Sequence, residues 1–198
     1  MTRNVLVLTI ALGVVGGFGI AGCGGASRVT AEDRPRASAR TRRLPDLLGP
    51  LGARLPPEQL AEIAAFIRRW EQDPMAPVPE NDTDRSTAFL MLAWLTESPD
   101  VAVTITTAVQ TMSEGRGADV SPAVTMGSTF GMAAYLIEHP GSDPRSAEVQ
   151  AAGIESALRW YEAALRRGEG QNGMLEELTV IRDRGELVQW WSEHVTVH

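Results

Sequence analysis

The chain has 198 residues, a formal net charge of −7 and a hydrophobic fraction of 43%, which suits one domain of ordinary size with a genuine core. All 18 basic residues are arginine, and the charge is divided unevenly: residues 24 to 43 hold six arginines against Glu32 and Asp33, a net of +4, whereas 44 to 198 hold eleven against 23 acids, a net of −12. So acidic a body argues against nucleic-acid binding, which needs a concentrated positive surface, and a single cysteine leaves no disulfide framework or cysteine metal cluster.

The first element is a short charged start at Arg3, an apolar run from Val5 to Ala21, then Gly22 and the lone Cys23. That order is an export signal. The tetrapeptide Ile20-Ala21-Gly22-Cys23 resembles the lipobox of bacterial lipoproteins. The resemblance implies cleavage between Gly22 and Cys23, acylation of the Cys23 thiol and anchorage of the mature chain to a membrane through it. An uncleaved span from Val5 to Ala26 is the alternative, since the run approaches the roughly 20 residues a transmembrane helix needs. Glycines 13, 16, 17 and 19 weaken that alternative. Either reading puts the rest of the chain outside the cytoplasm, with Arg3 holding the N-terminus inside. Gly24, where an aspartate often marks inner-membrane retention in such lipoproteins, favours the outer membrane or cell surface.

Residues 23 to 43 read as a lipidated, basic, flexible tether: apart from arginine they are mostly small, and they cannot bury enough surface to offset their ordering entropy. Residues 44 to 198 read as the helical domain. Leu44 to Leu55, broken by Pro45, Gly49, Pro50 and Gly52, reads as an irregular lead-in that packs its leucines on the body. A helix is expected from Pro57 and Glu58, with the stripe Leu60, Ile63, Ala64, Ile67 and Trp70, ending at Asp73-Pro74. The next is capped at Asp82 or Thr83 and runs through Ala88 to Leu95, apolar all round and therefore expected to be the most buried helix. Ser98-Pro99-Asp100 then has the form of a helix start. Val101 to Val109 carries both a strand alternation and a helical stripe, and helix is chosen because no partner strand is evident.

Gly115 and Gly117 close that element, and Ser121-Pro122 opens a helix to about Glu138, in which Gly127, Gly131 and Ala134 would let another helix approach closely. After Pro140-Gly141, Asp143-Pro144 opens the longest helix, with Ala147, Ala151, Ile154, Leu158, Tyr161 and Leu165 on one face and Gly168 past its end. Two short pieces follow, Met174 to Asp183 and Glu186 to His194. The fold class is all-α, a compact bundle or short array of about five to seven helices.

Ala157-Leu158-Arg159-Trp160-Tyr161-Glu162-Ala163-Ala164-Leu165 resembles the second helix of a tetratricopeptide repeat. Arg145 stands where the companion helix needs a small residue, and no second copy recurs at the family period of about 34 residues. His194 and His198, four apart, make half of a zinc site, and no metal or other cofactor is expected from two ligands alone. His139, beside Glu138 and near Asp143, is explained by its place at a helix C-terminus. Gly127-Ser128-Thr129-Phe130-Gly131 lacks the spacing of a nucleophile elbow, and Asn81-Asp82-Thr83 is a glycan acceptor in form only. Leu187, Trp190, Trp191 and His194 share one face of the last helix, which either docks on the core or, where the indoles are exposed, forms a hot spot for a partner. These features point to a membrane-anchored helical binding or scaffolding module at the bacterial envelope. An envelope-associated hydrolase and a tetratricopeptide-like adaptor are the alternatives, with catalytic residues assigned to neither.

Overall fold

The computed structural model describes residues 44–74, 84–106, 109 and 121–195. The lipobox, including Gly22 and Cys23, the tether, Asn81, the cap at Asp82 or Thr83, Gly115, Gly117 and His198 lie outside the described residues. Those described form seven helices and no strand: α1 (Leu44–Leu48), α2 (Pro57–Trp70), α3 (Asp84–Glu97), α4 (Ser121–Glu138), α5 (Ala147–Arg166), α6 (Gly173–Asp183) and α7 (Leu187–His194). The fold is all-α and compact, and among the described residues no helix is long and apolar enough to cross a membrane.

An antiparallel hairpin of α4 and α5 forms the spine, and small residues make it possible. A Cβ built on Gly127 would lie 2.8 Å from the Trp160 ring, one on Gly131 would lie 2.6 Å from the Ala152 carbonyl oxygen, and one on Gly153 would lie 2.7 Å from Met132. Each is shorter than a side chain tolerates, so the helix axes come as close as they do because these positions carry no side chain. The hairpin divides the interior. On the α4 side, Leu44, Leu47, Leu48, Ile63, Ile67, Met91, Trp94 and Phe130 form one core with α1, α2 and α3. On the α5 side, Ile154, Leu158, Tyr161, Leu175, Leu178, Leu187 and Trp191 form the other with α6 and α7. Each large side chain so buried contributes about 1.5 to 3 kcal/mol. An aromatic cluster joins α2 to both members of the hairpin, with Trp70 centred 5.3 Å from Phe130 and 5.1 Å from Trp160.

Helix ends follow local chemistry. Proline begins α2 and its amphipathic stripe packs inward, as the spacing predicts, but the helix stops at Trp70, before Asp73-Pro74, in a turn closed by Glu71 and Gln72 amides. The longest helix begins at Ala147, later than Asp143-Pro144, because Asp143 accepts a hydrogen bond from the Arg145 amide in a separate turn and Ser146 takes the capping position. Asn172 caps α6, its Oδ1 accepting from the amides of Met174 and Leu175 at 3.1 and 3.2 Å. Gly141 and Gly168, at φ +89° and +83°, end α4 and α5 in the left-handed conformation that glycine adopts without a Cβ penalty.

Three expectations are corrected. The lead-in is partly regular, since Leu44 to Leu48 forms a helical turn with three buried leucines. The apolar α3 is not the most buried helix: Phe89 is 62% exposed and Leu90 38%. That place belongs to α5, which buries twelve residues because α4 covers one side and α6 and α7 the other. Val101 to Thr106 is neither helix nor strand. Ser98 Oγ does accept from the amides of Asp100 and Val101 at 3.3 Å, as a cap would. Yet Asp100 accepts from the Leu55 amide at 2.9 Å, and the Thr104 carbonyl accepts from Gln150 Nε2 at 3.1 Å. The segment is thus held in place by its neighbours while Val101 and Val103 pack on the core.

A candidate binding groove along α5

The residues at the C-terminal end of α2 build a chain of ion pairs across three helices. Glu71, with its side chain only 2% exposed, accepts from Arg68 Nη1 at 3.1 and 3.2 Å and from Arg159 Nη1 of α5 at 2.9 Å. Arg68 also grips Glu138 of α4 in a two-pronged pair, Nε to Oε1 at 3.1 Å and Nη2 to Oε2 at 2.7 Å. Arg159 Nη2 donates to Glu155 one turn back along α5. A buried carboxylate facing two guanidiniums is compensated here, whereas one partner alone would leave an uncompensated charge. On the other flank, Arg182 of α6 donates to Glu162 at 2.7 Å and to Asp183 at 2.8 Å.

These pairings set the electrostatics. Burial pulls the Arg68 guanidinium toward a lower pKa, but its hydrogen bonds to Glu138 and Glu71 and the field of both carboxylates outweigh that and leave it raised above the ordinary arginine value. Arg182 is raised in the same way: burial opposes, and Glu162 and Asp183 prevail. Both side chains are therefore fixed cations whose orientation is held by carboxylates.

Between the two flanks lies an open groove of about 520 Å³. Its floor is one ridge of α5, running Glu148, Ala151, Ala152, Glu155 and Arg159. Arg68 and Tyr135 form one wall, and Arg182, Gly185, Leu187 and Val188 form the other. A smaller hollow of about 300 Å³, lined by Leu60, Leu136, Ile137 and Pro140, lies by the 98–102 segment. The carboxylate of Asp100 there is already engaged by the Leu55 amide and Arg54.

Of the described candidate site residues that the sequence singled out, Leu187 alone lines the groove. Trp191 is 1% exposed and Leu187 7%, both packed in the core against α5, so docking of α7 accounts for them and they do not form an exposed hot spot. Trp190 is half-buried and stacks on His194 with ring centroids 5.2 Å apart. His139 stacks on Tyr135 at 4.1 Å, with Nδ1 3.1 Å from the Tyr135 carbonyl oxygen. Ser128 is fully buried in the α4–α5 crossing, as helix packing requires. Among the described residues no group of three or more His, Cys, Asp or Glu side chains gathers to hold a metal. The helix of tetratricopeptide appearance is α5, paired with α4, but the helices after it have only 11 and 8 residues and do not repeat that hairpin. The charged groove was not foreseen. Its local pairs, Arg68 with Glu71 and Glu155 with Arg159, stand at helical spacing and could have been flagged, whereas the pairs that cross between helices have no sequence signature. Comparison with family models, with curated proteins and with solved structures returned no match.

Proposed function

We propose that the chain is an exported lipoprotein, cleaved after Gly22 and acylated at Cys23, whose helical body serves as a binding or scaffolding module at the bacterial cell envelope, at the outer membrane or cell surface. The tetrapeptide Ile20-Ala21-Gly22-Cys23 supports the location. The role rests on one observation: an open groove floored by the small side chains of Ala151 and Ala152 and walled by charges held in place by their neighbours. Small residues at the bottom of a groove leave room for another backbone, and oriented charges at its walls select among partners more than they add affinity. The basic segment 24–43 holds this body off the bilayer.

Two experiments test the two halves. Cys23→Ser abolishes incorporation of labelled palmitate and releases the body from the membrane fraction; continued labelling overturns the anchor. A photo-crosslinking side chain in place of Ala152 traps a defined partner in cells. The same group at Glu58, some ten residues and about 15 Å along α2 from Arg68, does not. Equal trapping from both positions refutes the groove as the binding surface.

A further inference from the structure

The outer face of α3 differs in kind from the rest of the body. Residues 86 to 96 carry no charge, although more than one in five of residues 44 to 198 do. Met91, Trp94 and Leu95 turn inward to the first core. Phe89, Leu90 and Thr96 turn outward and are exposed, with the half-buried Ala93 among them at helical spacing. This face lies near the point where the chain from Cys23 enters the body, because α1, which begins at Leu44, packs against α3. The loop after α1 brings a further exposed leucine, Leu51, to the C-terminal end of the same helix, where a Cβ on Gly52 would lie 3.8 Å from the Glu97 carbonyl oxygen. Charge does not recommend that end to an anionic partner, since Arg54 is paired with Asp100 and Glu97 stands exposed beside it.

We infer that the outer face of α3, with Leu51 at its end, settles on the lipid surface to which Cys23 anchors the chain, Phe89 and Leu90 entering the interfacial layer. The inference rests on the reading of the chain as a lipoprotein and adds a second, apolar contact with the same membrane. Chain length and area single out lipid as the occupant. Twenty-one positions separate Cys23 from Leu44, and a coil of that length averages about 25 Å end to end. The segment that holds the body off the bilayer therefore also keeps the bilayer within reach of this face. A second copy or another protein would need about 800 Å² on each side for a standard interface, far more than a few exposed side chains present. A body already tied to the bilayer needs much less, because tethering makes the contact intramolecular, at an effective concentration of about millimolar. Partial burial of an apolar helix face among headgroups requires no pocket to receive it. No residue lining the α5 groove belongs to α3, so the two surfaces do not compete for the same side chains.

The test uses the full mature chain, purified with its anchor and reconstituted into phosphatidylcholine vesicles. An environment-sensitive fluorophore is placed on Thr96→Cys, beside Phe89 and Leu90, and in a second sample on Glu177→Cys, an exposed position of α6 on the other side of the hairpin. Phosphatidylcholine spin-labelled in its acyl chain should quench the label at 96 and leave the label at 177 bright. Phe89→Asp, at an exposed site, should abolish the quenching at 96 while the chain still floats with the vesicles and circular dichroism stays unchanged. Quenching that is absent, equal at both positions, unaffected by Phe89→Asp, or seen only when anionic lipid is added overturns the inference. So does a label at 96 shielded from iodide before lipid is present: shielding that grows with protein concentration assigns the face to a second copy, and shielding at every dilution assigns it to another segment of this chain, such as 75–83. A chain that floats with an unquenched label at 96 loses the inference and keeps the anchor, whereas a chain whose Cys23 itself takes the thiol label loses both.

Discussion

Gly131 is the sharpest place to test the helix crossing. A methyl group there would lie 2.6 Å from the Ala152 carbonyl oxygen and closer still to the Ser156 Cβ, against an optimum of about 3.5 to 4.0 Å for nonbonded atoms. Neither neighbour is the free end of a flexible side chain, so α4 and α5 must separate or shift. In an exposed helix, alanine in place of glycine gains about 1 kcal/mol of propensity. Overpacking costs about 1 to 3 kcal/mol, and contact with rigid backbone puts Gly131→Ala at the upper end. The net is a destabilisation of about 2 kcal/mol, or about 4 to 8 °C in Tm for a domain of this size. Urea unfolding followed by circular dichroism reads it. Gly173→Ala is the control: nothing lies within 4 Å of its Cβ position and its φ is not positive, so it should be neutral or stabilising by up to about 1 kcal/mol. Adding Ser156→Gly to Gly131→Ala should recover about 1 kcal/mol and no more, because the Ala152 carbonyl remains. If Gly131→Ala unfolds at the same or higher urea concentration than the parent, close approach through glycine is not what sets the crossing.

Other substitutions probe the groove and the second core. Glu71→Gln should cost about 2 to 3 kcal/mol in urea unfolding, below the full penalty for a broken buried pair because Arg68 and Arg159 are each about one-third exposed; a loss under 0.5 kcal/mol would show that the network is not structural. Tyr161→Phe removes the hydroxyl that accepts from the Asn172 amide at 2.9 Å and should cost about 1 to 3 kcal/mol, the penalty of an unsatisfied buried donor, with exchange of that amide accelerated in hydrogen-exchange spectra. Because the Arg68 pKa is raised on folding, its contribution is fully present below the ordinary arginine value and lost only as pH climbs through the higher folded one. The stability difference between the parent and Arg68→Met should therefore stay constant from pH 6 to 10, and a difference that shrinks toward pH 10 would contradict the pairing.

Helix identity was legible wherever apolar spacing and end signals agreed, as in α2, α4 and the two short C-terminal helices. It failed where they competed. Ser98-Pro99-Asp100 makes real capping bonds, but Asp100 and Thr104 are engaged by residues some 45 positions away in the chain, and no local reading contains those partners. The run Ala88 to Leu95 is apolar on every side because of its composition, yet burial is decided by how many neighbours a helix has, and α3 is covered on one side. The tryptophans gave the same lesson in reverse. Trp191 and Leu187 lie inside because α7 folds back on α5. The groove was hidden for a different reason: Glu71 looks like an ordinary charged residue at a helix end, and only the arrival of Arg159 from 88 positions away turns it into the buried centre of a network.

The position of α1 gives the body a mechanical weak point. Any pull transmitted along the chain ahead of Leu44 arrives first at a five-residue coil of backbone, pinned by three leucines and by the amide of Gln59 on the Leu47 carbonyl. The spine of α4 and α5 lies beyond it in the chain and keeps its own close packing when those pins give way. Under tension the leading turn should peel off as a fuse while the groove keeps its shape.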